Sequence, residues 1–343
     1  MPLILGLLLF SFVVNAFLVV PFINLLYKLK FLRQNQKTLD FQGRRTPIFD
    51  KFHSWKVGTP VGGGLLIIIT TIVLYLLLFP LLKISGVYII TNYPLKEELN
   101  IIFFSFVSFG LLGLYDDIMK FFGFKKIGFF GMRMRHKFVI QWILALTIAS
   151  MLYINLKINF INIPSIENIH LGWLYIPFAA FVIVSFANAF NITDGLDGLS
   201  AGLLMICLFA FWLLSAAVLD TPLSVFLALW LGALVAFLYF NIFPARIWLG
   251  DVGALSFGAT LAVVGLLLGK IVALLVIGAP FIIEIMSSLL QILSKKFLHR
   301  KLFPASPVHL WLQLIGWEEP KIVMRAWLAG IIFALLGLWL ASI

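Results

Sequence analysis

Fourteen acidic residues occur in the chain, and five of them, Asp116, Asp117, Asp194, Asp197 and Asp251, lie close to glycine or asparagine residues at the ends of apolar runs. Asp116 and Asp117 are adjacent in Gly113-Leu-Tyr-Asp-Asp-Ile-Met-Lys120. Neighbouring carboxylates repel, and a proton or a divalent cation relieves the repulsion; Mg²⁺ is favoured where phosphates complete its shell. Alone, such a pair reads better as a solvated helix terminus. Asp194 and Asp197 are three apart in Asn188-Ala-Phe-Asn191-Ile-Thr-Asp194-Gly195-Leu196-Asp197-Gly198, so a helical turn would set them on one face. Asn188 and Asn191 repeat that spacing one turn earlier. Polar groups at the end of an apolar run are costly without partners, and glycine lets backbone approach a ligand closely. This cluster therefore reads as a ligand pocket. The run Pro244-Ala-Arg246-Ile-Trp248-Leu-Gly250-Asp251-Val-Gly253 adds a carboxylate between glycines, a cation suited to phosphate and an aromatic face on which a base could stack.

Three further residues are weaker alone. Glu284 falls inside an apolar run shortly after Gly278-Ala279-Pro280, where proline should break a helix. An intramembrane acid is either functional or hydrogen-bonded between helices, and both readings stand. His309, in Phe303-Pro-Ala-Ser-Pro307-Val-His309, could contact a phosphate or a metal. Lys56 precedes Gly58-Thr-Pro-Val61-Gly-Gly-Gly64, and a lysine before a glycine-rich helix entry suits an anionic ligand.

The elements that must position these residues follow from composition. Of 343 residues, 62% are hydrophobic and only 11% are charged, where a soluble domain carries about a quarter. A soluble fold cannot bury that much apolar surface, so lipid must solvate most of the chain. A membrane helix needs about 20 apolar residues, and ten stretches qualify: Leu3–Tyr27, Val61–Leu82, Leu99–Tyr115, Phe138–Leu156, Trp173–Phe190, Leu199–Leu219, Leu223–Phe240, Gly253–Leu268, Ile271–Leu293 and Arg325–Ser342. The first lacks a basic flank and a cleavage pattern, and reads as a retained helix. The expected fold is an all-α polytopic membrane protein of about ten transmembrane helices, forming one integral domain over residues 1–343.

Ten spans put both termini on one side. Of the 25 Lys and Arg residues, only Lys83, Lys96, Lys157 and Lys270 then fall on the side of the termini, leaving 21 on the other. This asymmetry makes the basic side cytoplasmic and both termini external. The net charge of +11 is thus mainly an orientation signal, and no nucleic-acid partner is needed to explain it. Cys207 is the single cysteine, which excludes an intrachain disulfide and a CxxC metal site. The five aspartates gather on the basic side. Carboxylates, a phosphate-compatible Arg and Lys, and a Trp on one cytoplasmic face argue for metal-dependent phosphoryl chemistry on a nucleotide-like substrate at the inner leaflet.

In this order and at these spacings the motifs resemble the polyprenyl-phosphate N-acetylhexosamine-1-phosphate transferases, and within them the phospho-N-acetylmuramoyl-pentapeptide transferase family. The resemblance runs from about Lys56 to the C-terminus and is most specific over Asn188–Gly202, Pro244–Gly258 and Pro307–Trp327; the run Gly316–Trp327 is more similar to the muramoyl-pentapeptide branch than to the others. It implies transfer of phospho-MurNAc-pentapeptide from UDP-MurNAc-pentapeptide to undecaprenyl phosphate, giving lipid I and UMP for peptidoglycan. It further implies Mg²⁺ as cofactor, a place in the bacterial cytoplasmic membrane, a cytoplasmic active site and a homodimer.

By similarity, Asp116 and Asp117 are the family's aspartate pair, with Asp116 a base or a contact to the lipid phosphate. Asp251, with Asp117, is a metal ligand, and His309 completes the catalytic group. Asp194 and Asp197 belong to the nucleotide pocket, with Asn188, Asn191, Gly195 and Leu196 nearby. Trp248 stands where the family often has Phe and offers a face for uracil. Lys56 lies near the diphosphate. Glu284 and Gln291 match a Glu and a Gln seven apart on a broken ninth helix.

Two departures are visible. The family's histidine triplet reads His309-Leu310-Trp311, and the threonine before the first glycine pair is Val61. The shortened triplet keeps open a sibling transferase that uses UDP-GlcNAc or another UDP-HexNAc, and an inactive cell-wall scaffold. A transporter is the reading from another class; it predicts paired charges at mid-membrane, whereas these carboxylates lie at the rim. Two mechanisms are compatible with the residues, direct attack by the lipid phosphate or a covalent aspartyl intermediate. Direct attack is preferred, because a phosphate monoester is already largely ionised at neutral pH.

Overall fold

A computed structural model describes residues 2–33, 56–122, 132, 134–164 and 168–343. Twelve helices occur among them: α1 Pro2–Lys28, α2 Gly63–Ile84, α3 Leu95–Phe122, α4 Met134–Asn155, α5 Tyr175–Thr193, α6 Leu199–Ala217, α7 Thr221–Asn241, α8 Gly250–Leu267, α9 Ile271–Ile277, α10 Ala279–Phe297, α11 Val308–Leu314 and α12 Glu319–Ser342. Helices α1 to α8 and α12 are each long and apolar enough to cross a membrane, and α9 with α10 form a further apolar pair bent by 73° at Gly278. The chain is therefore a multi-pass membrane protein with ten spans when the bent pair counts as one. The break falls where Gly278-Ala279-Pro280 predicts it, since Pro280 occupies the first turn of α10 and cannot continue α9.

Several elements differ from expectation. Helix α3 runs beyond Tyr115 to Phe122, so Asp116, Asp117 and Lys120 lie on helix. Helix α12 begins at Glu319, with Pro320 in its first turn, six residues before the expected Arg325. A two-residue hairpin, β1 Phe160–Ile161 paired antiparallel with β2 Ile169–His170, and the short α11 have too few residues to show periodicity. Seven of the basic residues that orient the chain, Lys37, Arg44, Arg45, Lys51, Lys125, Lys126 and Arg133, lie outside the described residues.

Helix α8 is the centre of the bundle. It packs on α3, α5 and α2, and its buried residues include Gly253, Ala254, Ser256, Gly258, Ala259 and Gly265. Small residues let membrane helices approach backbone to backbone. A Cβ on Gly64 of α2 would lie 2.2 Å from the Gly253 Cα, and one on Gly113 of α3 would lie 2.1 Å from the Asp251 carbonyl oxygen. These contacts bring the aspartates of α3 and α8 together.

At the same end of the bundle, three extended segments lie side by side. The Arg33 amide donates to the Thr59 carbonyl (2.9 Å) and the Val61 amide to Phe31 (3.0 Å). The Trp248 amide donates to Pro60 (2.9 Å) and the Gly62 amide to Trp248 (3.0 Å). Residues 31–33, 59–62 and 247–249 thus form a short hydrogen-bonded floor that places Arg33 and Trp248.

Candidate functional site

A cluster of three carboxylates and two lysines forms where α3, α4 and α8 meet. Asp116 and Asp117 come from α3, Asp251 from the first turn of α8 and Lys137 from the first turn of α4. Lys120 Nζ lies 2.8 Å from Asp251 Oδ2, 3.1 Å from Asp116 Oδ2 and 3.9 Å from Asp117 Oδ1. Lys137 Nζ donates to Asp116 Oδ2 at 2.9 Å and also contacts Asp251 Oδ2. Backbone amides fix the outer carboxylate oxygens, Met132 to Asp116 Oδ1 (2.7 Å) and Val252 to Asp117 Oδ2 (3.0 Å). The arrangement answers the electrostatic problem that adjacent aspartates pose. Helical spacing puts Lys120 over both carboxylates, and Lys137 adds a second cation from a neighbouring helix. Neither lysine was singled out from the sequence; the i+4 relation of Lys120 to Asp116 was the available signal.

A buried ionic knot lies beside this cluster. Lys56 Nζ donates to Asp197 Oδ1 (2.8 Å) and Glu319 Oε1 (2.5 Å). Glu319 Oε1 also accepts from the Asp197 amide (2.6 Å), and Asp197 Oδ2 accepts from the Ala245 amide (2.9 Å). Lys56 and the Arg33 guanidinium each sit 4.8 Å from the centroid of the Trp248 ring, within cation–π range. Glu319 is a residue the sequence motifs did not isolate.

Asp194 and His309 face the gap between cluster and knot. Asp194 Oδ1 accepts from Ser200 Oγ at 2.5 Å. Burial pushes the Asp194 carboxyl up to about 6; the Ser200 bond and Arg33 oppose the rise, while Asp251 and Asp197 add to it. Burial also lowers Arg33 below the usual guanidinium range, against the opposing pull of Asp197, Asp194 and Glu319. The His309 ring is oriented by Glu284, whose Oε2 lies 3.0 Å from Nδ1 and whose Oε1 accepts the His309 amide (3.2 Å). An ionised Glu284 selects the tautomer with the proton on Nδ1 and leaves Nε2 toward the pocket. Gly195 is the residue that admits this ring, since a Cβ there would lie 2.5 Å from Nε2.

Glu284, Gln291 and Ser294 line the buried face of α10, and all three hold the loop that follows. Gln291 Oε1 accepts from the Leu302 and Phe303 amides (both 2.9 Å), its Nε2 donates to Phe303 (2.8 Å), and Ser294 Oγ donates to Arg300 (2.9 Å).

A cavity of about 380 Å³ opens among these groups. Of the sequence-predicted residues it is lined by Asp117, Asn191, Asp194, Gly195, Trp248, Asp251 and His309. The other seven do not line it. Asp116 is held by the two lysines, and Lys56 and Asp197 are committed to the ionic knot. Asn188 donates to Gln141 Oε1 (2.7 Å) and to the Val184 carbonyl (2.8 Å), and Leu196 is buried. Glu284 and Gln291 act on His309 and its loop. Arg33 and Lys120 line the cavity without having been predicted.

Among the described residues, no three His, Cys, Asp or Glu side chains are grouped as a closed metal site. Asp117 and Asp251 nevertheless converge on the position taken by the Lys120 ammonium. Two hard carboxylates with room beside them suit a cation that draws its remaining ligands from phosphate and water.

A ten-span bundle with a rim cavity of paired carboxylates and cations defines a membrane protein equipped for phosphorylated ligands. Residues 99–269 match the model of the glycosyl transferase family 4. A phospho-N-acetylmuramoyl-pentapeptide-transferase of Oceanobacillus iheyensis is 33% identical over 290 residues, covering 84% of this chain and 85% of the relative. The proteins of that name from Bacillus subtilis and Caldanaerobacter subterraneus are 32% and 34% identical, covering 84% and 82% of this chain and 86% and 84% of their own lengths. The chain belongs to the phospho-N-acetylmuramoyl-pentapeptide-transferase family.

Proposed function

We propose that this protein transfers phospho-MurNAc-pentapeptide from UDP-MurNAc-pentapeptide to undecaprenyl phosphate, forming lipid I and UMP at the cytoplasmic face of a bacterial inner membrane. The observation that carries the reading is the rim cavity on which Asp117, Asp251, Asp194, Lys120, Trp248 and His309 converge. The family supports the reaction class, and the positive-inside asymmetry supports the side. Sibling sugar nucleotides, transport and a scaffold role are not favoured.

Within this reading Asp117 and Asp251 would hold Mg²⁺, which would supply positive charge against the diphosphate. Lys120 and Lys137 hold the aspartates of α3 and α8 close together before ligand arrives. Asp194 and the Trp248 ring bound the nucleotide side. His309, oriented by the Glu284 contact to Nδ1, presents Nε2 toward the cavity, where a phosphoryl group would lie. Asp116, held by both lysines, is a positioning residue rather than a nucleophile, which favours direct attack by the lipid phosphate.

Purified protein given Mg²⁺, undecaprenyl phosphate and each UDP-sugar in turn tests the assignment by UMP release. Release with UDP-MurNAc-pentapeptide alone is expected; release only with UDP-GlcNAc moves the assignment to a sibling. Asp251→Asn should lower turnover by about 10²-fold or more, the scale of losing one preorganised electrostatic group, with the fold retained. Chelation of Mg²⁺ should stop turnover, and readdition should restore it.

A further inference from the structure

Arg33 belongs to the first basic loop, whose charges the sequence explains as an orientation signal. Its setting is more specific than that. The Arg33 amide and carbonyl are both paired across the short floor, the amide to Thr59 O and the carbonyl to the Gly58 amide, each at 2.9 Å. The preceding Phe31 ring packs against Phe121 and Phe122, with centroids 4.9 and 5.4 Å apart, which ties this segment to the end of α3 just beyond Lys120. The guanidinium then lies 4.8 Å from the centroid of Trp248 and lines the cavity with Asp194 and His309. A guanidinium over an aromatic face presents a planar fork of N–H donors whose geometry suits the oxygens of a phosphoryl group.

We infer that Arg33 is a substrate-binding residue that takes a phosphoryl group of the nucleotide from the Trp248 side of the cavity. The inference rests on the nucleotide reading proposed above. The nucleotide is favoured over the lipid phosphate because Arg33 shares its wall with Trp248 and Asp194, the ring and carboxylate suited to a base and a ribose.

The test is UMP binding by calorimetry to the detergent-purified full chain, beside steady-state kinetics with both substrates. Arg33→Gln is expected to weaken UMP by about ten- to a hundredfold, the range for charge-assisted hydrogen bonds, and to raise KM for the sugar nucleotide similarly. KM for undecaprenyl phosphate and kcat should stay within about threefold. Arg33→Lys, which keeps the charge but not the fork, should recover only part of the affinity; it also serves if the Gln variant melts early. Unchanged UMP affinity in both variants, or a KM effect confined to the lipid phosphate, overturns the inference. A wild type that binds UMP but transfers no sugar phosphate defeats the reaction proposed above and leaves the binding comparison decisive for Arg33. A wild type that binds no UMP overturns both.

Discussion

Asp194 keeps its proton to about pH 6 because burial opposes its charge more strongly than Ser200 and Arg33 support it. The linkage sign follows. A carboxyl whose pKa is raised on folding binds more protons in the native state than in the unfolded state between its unfolded value near 3.9 and its native value. Stability is therefore higher in acid and falls as pH rises through about 6, by up to about 3 kcal/mol for a shift of this size. Asp194→Asn should raise the melting temperature at pH 7.5 by several degrees and flatten its dependence between pH 5 and 7, while turnover falls; a variant melting lower than wild type would refute this account. Lys56 is the opposite case. Replacing it by Met leaves Asp197 and Glu319 facing each other across a buried site without their shared cation. Loss of one partner of a buried ion pair costs about 3–5 kcal/mol, read as a lower melting temperature. Lys56→Met with Glu319→Gln should lose less than the sum of the two single variants, because they share one network.

At the scale of elements, α10 shows how an intramembrane acid serves a site it does not touch. Its exposed residues Ile283, Met286, Leu289, Leu290 and Leu293 are apolar, and its buried face presents Glu284, Gln291 and Ser294 to the following loop. Gln291→Ala frees the Leu302 and Phe303 amides and the Phe303 carbonyl, so the loop that delivers His309 should loosen. Faster amide exchange over residues 298–309 is expected, with a smaller loss of turnover than for His309→Ala. Equal protection in wild type and variant would show that the loop is held by something else. The spans and the break at Gly278 were legible because hydrophobic length and a proline suffice to specify them. The partners of Lys56 were not, since Asp197 and Glu319 are 141 and 263 residues away from it, and no local period reports such pairs. Asp117, Asp194, Trp248, Asp251 and His309, which the motifs single out, line one cavity. Lys120 and Arg33 read only as orienting charge, because a lone base next to a span looks the same whichever way it turns. Glycine contacts were equally hidden: Gly113 stands beside the aspartate pair in sequence, but its close approach to the backbone of Asp251 is set by α8, 138 residues further on.

For the molecule as a whole, the same sorting of charge fixes both orientation and the location of chemistry. Lys56, Lys120, Lys137 and Arg33, part of the basic excess that sets the topology, are also the cations that neutralise or face the site's carboxylates. A protein inserted the other way would therefore present its cavity to the outer surface, so topology is a condition of the proposed function and can be tested apart from activity. Cys207 is the single cysteine and is buried in α6, where its thiol donates to the Ile277 carbonyl, so single-cysteine reporters can be read against a low background. Ser85, exposed at the end of α2, and Lys301, exposed in the loop after α10, lie on opposite sides of the proposed arrangement. In intact cells a membrane-impermeant maleimide should label Ser85→Cys and spare Lys301→Cys. Both should label once the membrane is opened. Labelling of Lys301→Cys alone in intact cells would invert the orientation and place the cavity outside, and labelling of both positions would mean that α9 and α10 do not complete a span, leaving an even number of crossings between the two reporters.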